Sequence, residues 1–190
     1  IRSSFGYING DFQTFALDIG SVEYDAFIEA DGRFDYVLNL SALKHVRSEK
    51  DPFTLMRMIN VNIFNTDKTI QQSIAKGVKK YFCVSTDKAA NPISILGKTK
   101  YMAEILTSYF RSRGHENYTS VRFGNVFNSK GSVIETFTHQ IMDGLSVTLT
   151  DEKVERFFMK IEEAASLSII AAILNAGDVH ILDMGKPIRL

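Results

Sequence analysis

Ser85, Thr86, Asp87 and Lys88 set two hydroxyls, a carboxylate and an ammonium group on four consecutive positions. The apolar run Tyr81-Phe82-Cys83-Val84 precedes them, Asn91-Pro92 breaks the chain after them, and Leu96-Gly97-Lys98-Thr99-Lys100 follows. A carboxylic acid beside an amine can divide the two halves of a proton transfer, provided burial and mutual charge adjust their proton affinities. The plain alternative is a solvated turn in which Asp87 and Lys88 only pair with each other. The apolar strand before the run and the fixed break after it favour chemistry, because an open α/β sheet places its ligand crevice at the carboxyl ends of its strands.

Other candidates fall at similar places. Ser41-Ala42-Leu43-Lys44-His45-Val46 follows an apolar strand, which puts Lys44 and His45 at the same crevice edge. A neutral loop with a snorkelling lysine is the other reading. Asp18 ends an apolar run, where it either starts a turn or accepts from an adenine amino group. Asn125 follows a strand and a glycine, and serves equally as a ligand contact or a turn residue. Arg156, between apolar residues, either clamps a phosphate through both arms of its guanidinium or pairs with Glu152 or Glu155. His115, His139 and His180 are scattered without metal-ligand spacing, so no metal site is expected.

The elements that must position these groups follow from periodicity. Apolar runs predict strands at residues 12–17, 35–40, 79–85, 119–123, 147–149 and 179–182, with short extended pieces at 155–159. Helical spacing predicts helices at 22–30 (Ser21 as N-cap), 52–75 (closed by Lys76-Gly77), 95–112, 132–143 and 162–175. Strands alternating with helices imply a parallel sheet covered on both faces by right-handed crossovers. Past residue 125 the elements shorten, which predicts a smaller lobe. The expected division is therefore 1–124 for the main sheet and 125–190 for that lobe. No glycine falls as GxGxxG between a strand and a helix, and the sequence starts in mid-element. We therefore expect the first strand–helix–strand unit to lie upstream of Ile1, and the other end to be cut as well.

Composition removes several classes. With 190 residues, 45% hydrophobic and 23% charged, the chain can bury a sizeable core. Lys+Arg and Asp+Glu both total 22, so no bulk attraction toward nucleic acid or a membrane surface exists. The single cysteine, Cys83, excludes a disulfide framework and fits a cytoplasmic protein with a small buried thiol. The longest apolar run, around residues 169–174, falls far short of the roughly 20 residues a membrane-spanning helix needs.

In order, the segments Leu17-Asp18-Ile19, Ser41 to Val46, Asn60-Val61-Asn62, Ser85 to Pro92, Gly97 to Lys100 with Ala103-Glu104, Val121 to Val126, Gly131 to Ile134 and Val154 to Met159 form a series. It resembles the nucleotide-sugar 4,6-dehydratases of bacterial polysaccharide biosynthesis (the CapD-like group) within the extended short-chain dehydrogenase/reductase superfamily. The Ser-Thr-Asp-Lys-Ala segment is specific to that group, and the rest is shared more widely. The resemblance implies an α/β fold, a doubly wound parallel sheet of the NAD(P)-binding Rossmann-like kind without its first strand–helix–strand unit, and a small substrate-binding lobe. It implies NADP or NAD as cofactor, a nucleotide-diphosphate sugar as substrate, and a homo-oligomer.

The resemblance also implies roles. Hydride leaves C4 of the sugar for the cofactor, and the 4-ketone so formed acidifies the C5 proton. Lys88 removes that proton, Asp87 protonates the departing C6 hydroxyl, and Thr86 hydrogen-bonds near the C4 oxygen. Hydride returns to C6, and some members also invert C5. Asp18, Ile19, Ser41, Ala42, Lys44, Ser85 and Lys100 would line the cofactor, with Asp18 at the adenine and Lys100 at the nicotinamide ribose. Lys44, His45, Asn125 and Arg156 would hold the substrate, Arg156 by its diphosphate. The sequence departs from the superfamily in two ways: the glycine loop and second strand, with the residue that separates NAD from NADP, are absent, and four residues before Lys100, where a tyrosine is usual, stands Leu96. A sugar-nucleotide 4-epimerase on the same scaffold, and a catalytically silent binding member, are the competing readings.

Overall fold

The computed structural model of the chain describes residues 13–31, 33–44, 49–127, 129, 131–149, 151–174 and 176–190. The chain parts into two units, Ile1–Gly32 and Arg33–Leu190. In the first, α1 (Val22–Asp31) begins where expected, with the Ser21 hydroxyl accepting from the Tyr24 N–H at 3.2 Å. The strand expected at 12–17 does not form over its described residues, 13–17. No described strand offers them a ladder, and the Phe15 ring lies 4.7 Å from that of Phe27 on α1 instead. Residues 13–16 remain exposed.

The second unit runs β1 (Tyr36–Asn39), α2 (Pro52–Ile59), a π-turn (Asn60–Phe64), α3 (Asn65–Ala75), β2 (Lys80–Thr86), a 3₁₀ turn (Asp87–Ala89) and α4 (Ile95–Ser112). It continues through β3 (Tyr118–Phe123), β4 (Asn125–Val126), α5 (Val133–Met142), β5 (Glu155–Arg156), β6 (Phe158–Met159), α6 (Ile161–Leu174), β7 (Val179–Ile181) and β8 (Ile188–Arg189). β1, β2, β3 and β7 form a parallel sheet in that order. Its two faces follow from alternation along β2. Tyr81 and Cys83 pack with Tyr118 against Ile70 of α3 and Ala103 of α4. Phe82 and Val121 pack with Ala171 and Ala172 of α6. Covering on both faces explains why β2 reads as a nearly unbroken apolar run, while on β1 Tyr36 and Leu38 stay exposed. Burial pushes the Cys83 thiol above its usual range, as befits a core side chain.

The helix begins at Pro52 and stops at Gly77, as expected. Asp51 accepts from Thr54 N–H at 2.7 Å ahead of Pro52, and Gly77 adopts φ +69° after α3. The single helix expected over 52–75 is interrupted, with Asn65 N–H reaching back five residues to Asn60 O. The strand expected at 147–149 is absent, because Thr148 N–H donates to the Gln140 side chain of α5 at 3.2 Å and not to a ladder. Two short sheets, β4 with β6 and β5 with β8, follow residue 124.

α4 lies so close to the turn after β2 that a Cβ on Gly97 would stand 2.6 Å from the Lys88 carbonyl oxygen. Gly97→Ala is expected to lower stability by about 1–3 kcal/mol, since the obstructing atom is backbone and cannot swing away. Urea unfolding of the two proteins measures the difference.

Candidate functional site

The acid–amine run sits where β2 leaves the sheet. Thr86 is extended and accepts from the Lys88 N–H at 3.4 Å, which caps the 3₁₀ turn and sends the Asp87 and Lys88 side chains out together. Lys88 Nζ lies 3.1 Å from Asp87 Oδ1 and donates to Asn125 Oδ1 at 3.2 Å. The Thr86 hydroxyl donates to the same Asp87 Oδ1 at 2.8 Å. All four side chains are half-buried. The arrangement joins a hydroxyl, a carboxylate, an ammonium and an amide by single hydrogen bonds. Proton exchange between carboxylate and amine needs such direct contact.

Asn125 reaches this cluster because β3 ends at Phe123 and Gly124 lets the chain pass close to residue 157. A Cβ on Gly124 would lie 2.8 Å from Phe157 O. That same carbonyl accepts from Asn125 N–H at 2.9 Å and from Asn125 Nδ2 at 3.3 Å. With its amide nitrogen so engaged, Asn125 presents its oxygen to Lys88. Arg156, one residue earlier, is exposed on β5, and its guanidinium donates to Glu155 O at 2.8 Å.

Behind the turn, α4 supplies an ammonium and a carboxylate one helical turn apart. Lys100 is 5% exposed and donates from Nζ to Val84 O at 2.8 Å. Burial pushes its pKa below the ordinary lysine value, while nearby Cys83 and Glu104 oppose that shift. An ammonium has three N–H donors, and the single carbonyl acceptor leaves capacity for a ligand hydroxyl. Glu104 accepts from Arg122 Nε at 2.8 Å and Nη2 at 2.6 Å. Its Oε1 also accepts from the Ser85 hydroxyl at 2.5 Å, so the hydroxyl of Ser85 is turned to Glu104. Leu96 is buried, and its N–H donates to Glu49 Oε1 at 2.9 Å.

The loop after β1 is held from the π-turn. Asn62, fully buried, accepts from Leu43 N–H at 2.9 Å, and its Nδ2 donates to Leu43 O and to the Thr99 hydroxyl, both at 3.0 Å. The Ser41 N–H is held by Asn39 Oδ1 at 3.1 Å, while Ala42 and Lys44 are exposed. His45 lies outside the described residues. Asp18 and Ile19 belong to the first unit, where Asp18 accepts from Gly20 N–H at 2.8 Å.

Three side chains that brace the candidate site, Asn62, Glu104 and Arg122, were given no role by the sequence reading. The signal for Asn62 was present, since Asn60, Asn62 and Asn65 crowd poor helix formers into an otherwise apolar period. Glu104 stood four residues after Lys100 on one helix face, but nothing local named Arg122 as its partner.

The family model described as polysaccharide biosynthesis protein matches residues 10–190. The chain belongs to this family. Its relatives include an uncharacterized membrane protein of Methanocaldococcus jannaschii, 37% identical, covering 87% of this chain and 51% of that protein. The capsular polysaccharide biosynthesis protein CapD of Staphylococcus aureus is 40% identical over 81% of this chain and 26% of its own. The UDP-glucose 4-epimerase of Rickettsia typhi is 35% identical over 80% of this chain and 46% of its own. Among solved structures, Pen from Bacillus thuringiensis superposes with a TM-score of 0.87 at 35% identity, covering 99% of this chain and 58% of Pen. The chain thus spans about half or less of the curated relatives' length. The parallel sheet with helices on both faces is the fold of this polysaccharide biosynthesis family.

Within that family scaffold, the buried Lys100 makes a pH prediction. Its folded pKa is lowered, so between that value and the ordinary one of about 10.4 the unfolded chain binds more protons. The cost of burying the charge is therefore fully present at low pH and is relieved as pH rises through the folded value. Urea unfolding of wild type and Lys100→Met from neutral pH to about pH 10 is expected to show wild type gaining stability relative to the variant. A pH-independent difference would mean that the ammonium is not penalised by burial.

Proposed function

We propose that the natural full-length protein dehydrates a nucleotide-activated sugar, with UDP-N-acetylglucosamine as substrate, to its 4-keto-6-deoxy form for surface glycan synthesis. NAD or NADP is the proposed cofactor. The observation that carries the reading is the shared hydrogen-bonding of Thr86, Asp87, Lys88 and Asn125 at the carboxyl end of β2. The kinship with CapD supports it.

When bound, the nicotinamide group supplies a reversible acceptor for hydride. The residues fit such a group, since Lys100 stands buried at the strand ends with donors to spare for its ribose hydroxyls. Asp18 and Ile19 are assigned to the adenine end, Ser41, Ala42 and Lys44 to the cofactor's flank, and Ser85 to the strand end beneath it. Lys88 Nζ and Asp87 Oδ1 are in direct hydrogen-bond contact, so a single proton transfer between them prepares the amine and the acid. The neutral amine of Lys88 then takes the C5 proton, Asp87 delivers its proton to the departing C6 oxygen, and one water leaves. Thr86 hydrogen-bonds the C4 oxygen, Asn125 and Lys44 contact the sugar nucleotide together with His45, and Arg156 holds the diphosphate.

Two other readings each rest on an observation. The Rickettsia relative favours 4-epimerisation, which has no need of the Asp87–Lys88 pair. Leu96, without a proton to exchange, favours a silent binding member. Mass spectrometry of UDP-N-acetylglucosamine incubated with the full-length protein and each cofactor separates the three. Loss of water supports the proposal, an isomer of unchanged mass supports epimerisation, and cofactor binding without turnover supports the silent member. Asp87→Asn and Lys88→Ala are each expected to slow water loss by about 10²–10⁴-fold with cofactor affinity unchanged. A variant that dehydrates at the parental rate removes its residue from the mechanism. Homo-oligomerisation belongs to the same proposal, and light scattering of the full-length protein decides it.

A further inference from the structure

Ser85 and Arg122 are direct partners across the β2–β3 ladder, and Thr86 with Phe123 is the last rung beyond them. Past that rung the strands part. β2 turns into the Asp87–Lys88 corner, and β3 runs through Gly124 to Asn125. The contact between Lys88 Nζ and Asn125 Oδ1 spans this parting, and it holds only if both strand ends keep their spacing.

Glu104 bridges the two strands one rung below the gap. One carboxylate oxygen takes the Ser85 hydroxyl of β2 and Arg122 Nε of β3, and the other takes Arg122 Nη2. The ion pair is well shielded, with the Glu104 side chain 3% exposed and that of Arg122 16%. A planar two-point contact fixes direction as well as distance. Salt or water therefore loosens it less than a surface pair.

We infer that Glu104 and Arg122 are positioning residues for the elimination, clamping the ends of β2 and β3 so that Lys88 is held between Asp87 and Asn125. Both act through the strand ends that they join. The inference rests on the dehydration proposed above, and one of its readouts does not require turnover. If the clamp opens, the amine is displaced from the reacting carbon while the surfaces that bind the sugar nucleotide remain. A displacement of about 1 Å from a remote change can cost about a hundredfold in rate.

The test uses Glu104→Gln and Arg122→Lys in the full-length protein. The second keeps the charge and loses the fork, and so serves if the first folds poorly. The expected result is kcat lowered about ten- to a hundredfold with KM changed less than about threefold. The second readout is the ¹H–¹⁵N resonance of the Lys88 ammonium, assigned with Lys88→Arg. It is expected to be detectable in wild type and to move or broaden in both variants. If wild type only isomerises the sugar, the dehydratase reading fails, and the resonance alone decides the clamp. An unmoved resonance overturns the inference whatever the rate does, and an unchanged kcat in a dehydrating enzyme overturns it as well.

Discussion

Everything at the candidate site depends on one helix face pressed against one strand end. Gly97, Lys100 and Glu104 follow each other at helical spacing along α4, and each meets the end of β2 or the turn beyond it. The glycine admits the Lys88 carbonyl, the lysine ties down the Val84 carbonyl, and the glutamate takes the Ser85 hydroxyl. Three contacts on successive turns leave the strand end little freedom to twist. The two residues proposed to carry the proton chemistry, Asp87 and Lys88, come next in the chain and inherit that rigidity. Sites built on such fixed elements hold geometry better than sites on free loops.

The two buried charges of this face are treated differently. Glu104 meets a guanidinium in fork geometry plus a hydroxyl, so its charge is matched inside the protein. Breaking such a pair leaves an uncompensated ion, which is far costlier than replacing both partners. Lys100 has a carbonyl dipole and only the more distant influence of Cys83 and Glu104, and burial lowers its proton affinity accordingly. The matched charge organises the fold, whereas the poorly compensated one remains available to a ligand. Under-satisfied buried ammonium groups are a known mark of binding sites.

The sequence made the scaffold and the acid–amine run legible, because both are local. Alternation of strand and helix, the helix start at Pro52, the stop at Gly77 and the Ser85–Lys88 cluster need only neighbours within a few residues. Apolar runs misled at 13–17 and 147–149, where hydrophobicity was present but no described strand offered a ladder. Periodicity also hid the π-turn, since five residues of wider winding barely disturb an apolar stripe. Yet that turn aims Asn62 at the loop after β1 and at α4 together. π-turns concentrate where a helix must redirect a side chain for function. Glu104 and Arg122 are 18 positions apart, and only the sheet register brings them together.

Leu96 is where these arguments meet. Its position opens α4, and the helix start is secured without help from its side chain: Ser94 accepts from Gly97 N–H, and Glu49 accepts from Leu96 N–H. A leucine there therefore packs inward at no cost to the geometry that Gly97, Lys100 and Glu104 impose. Removing a phenol from this place changes the chemistry but not the scaffold. The proposed proton traffic runs through the turn. Thr86 and Lys88 both converge on the same oxygen of Asp87, and Asn125 orients the amine from the far strand. In that chain every transfer crosses one hydrogen bond, and every member is set by backbone that α4 holds. A leucine at this position is thus compatible with the proposed elimination, because the Thr86–Asp87–Lys88–Asn125 cluster is anchored by the helix face and not by the residue at its start.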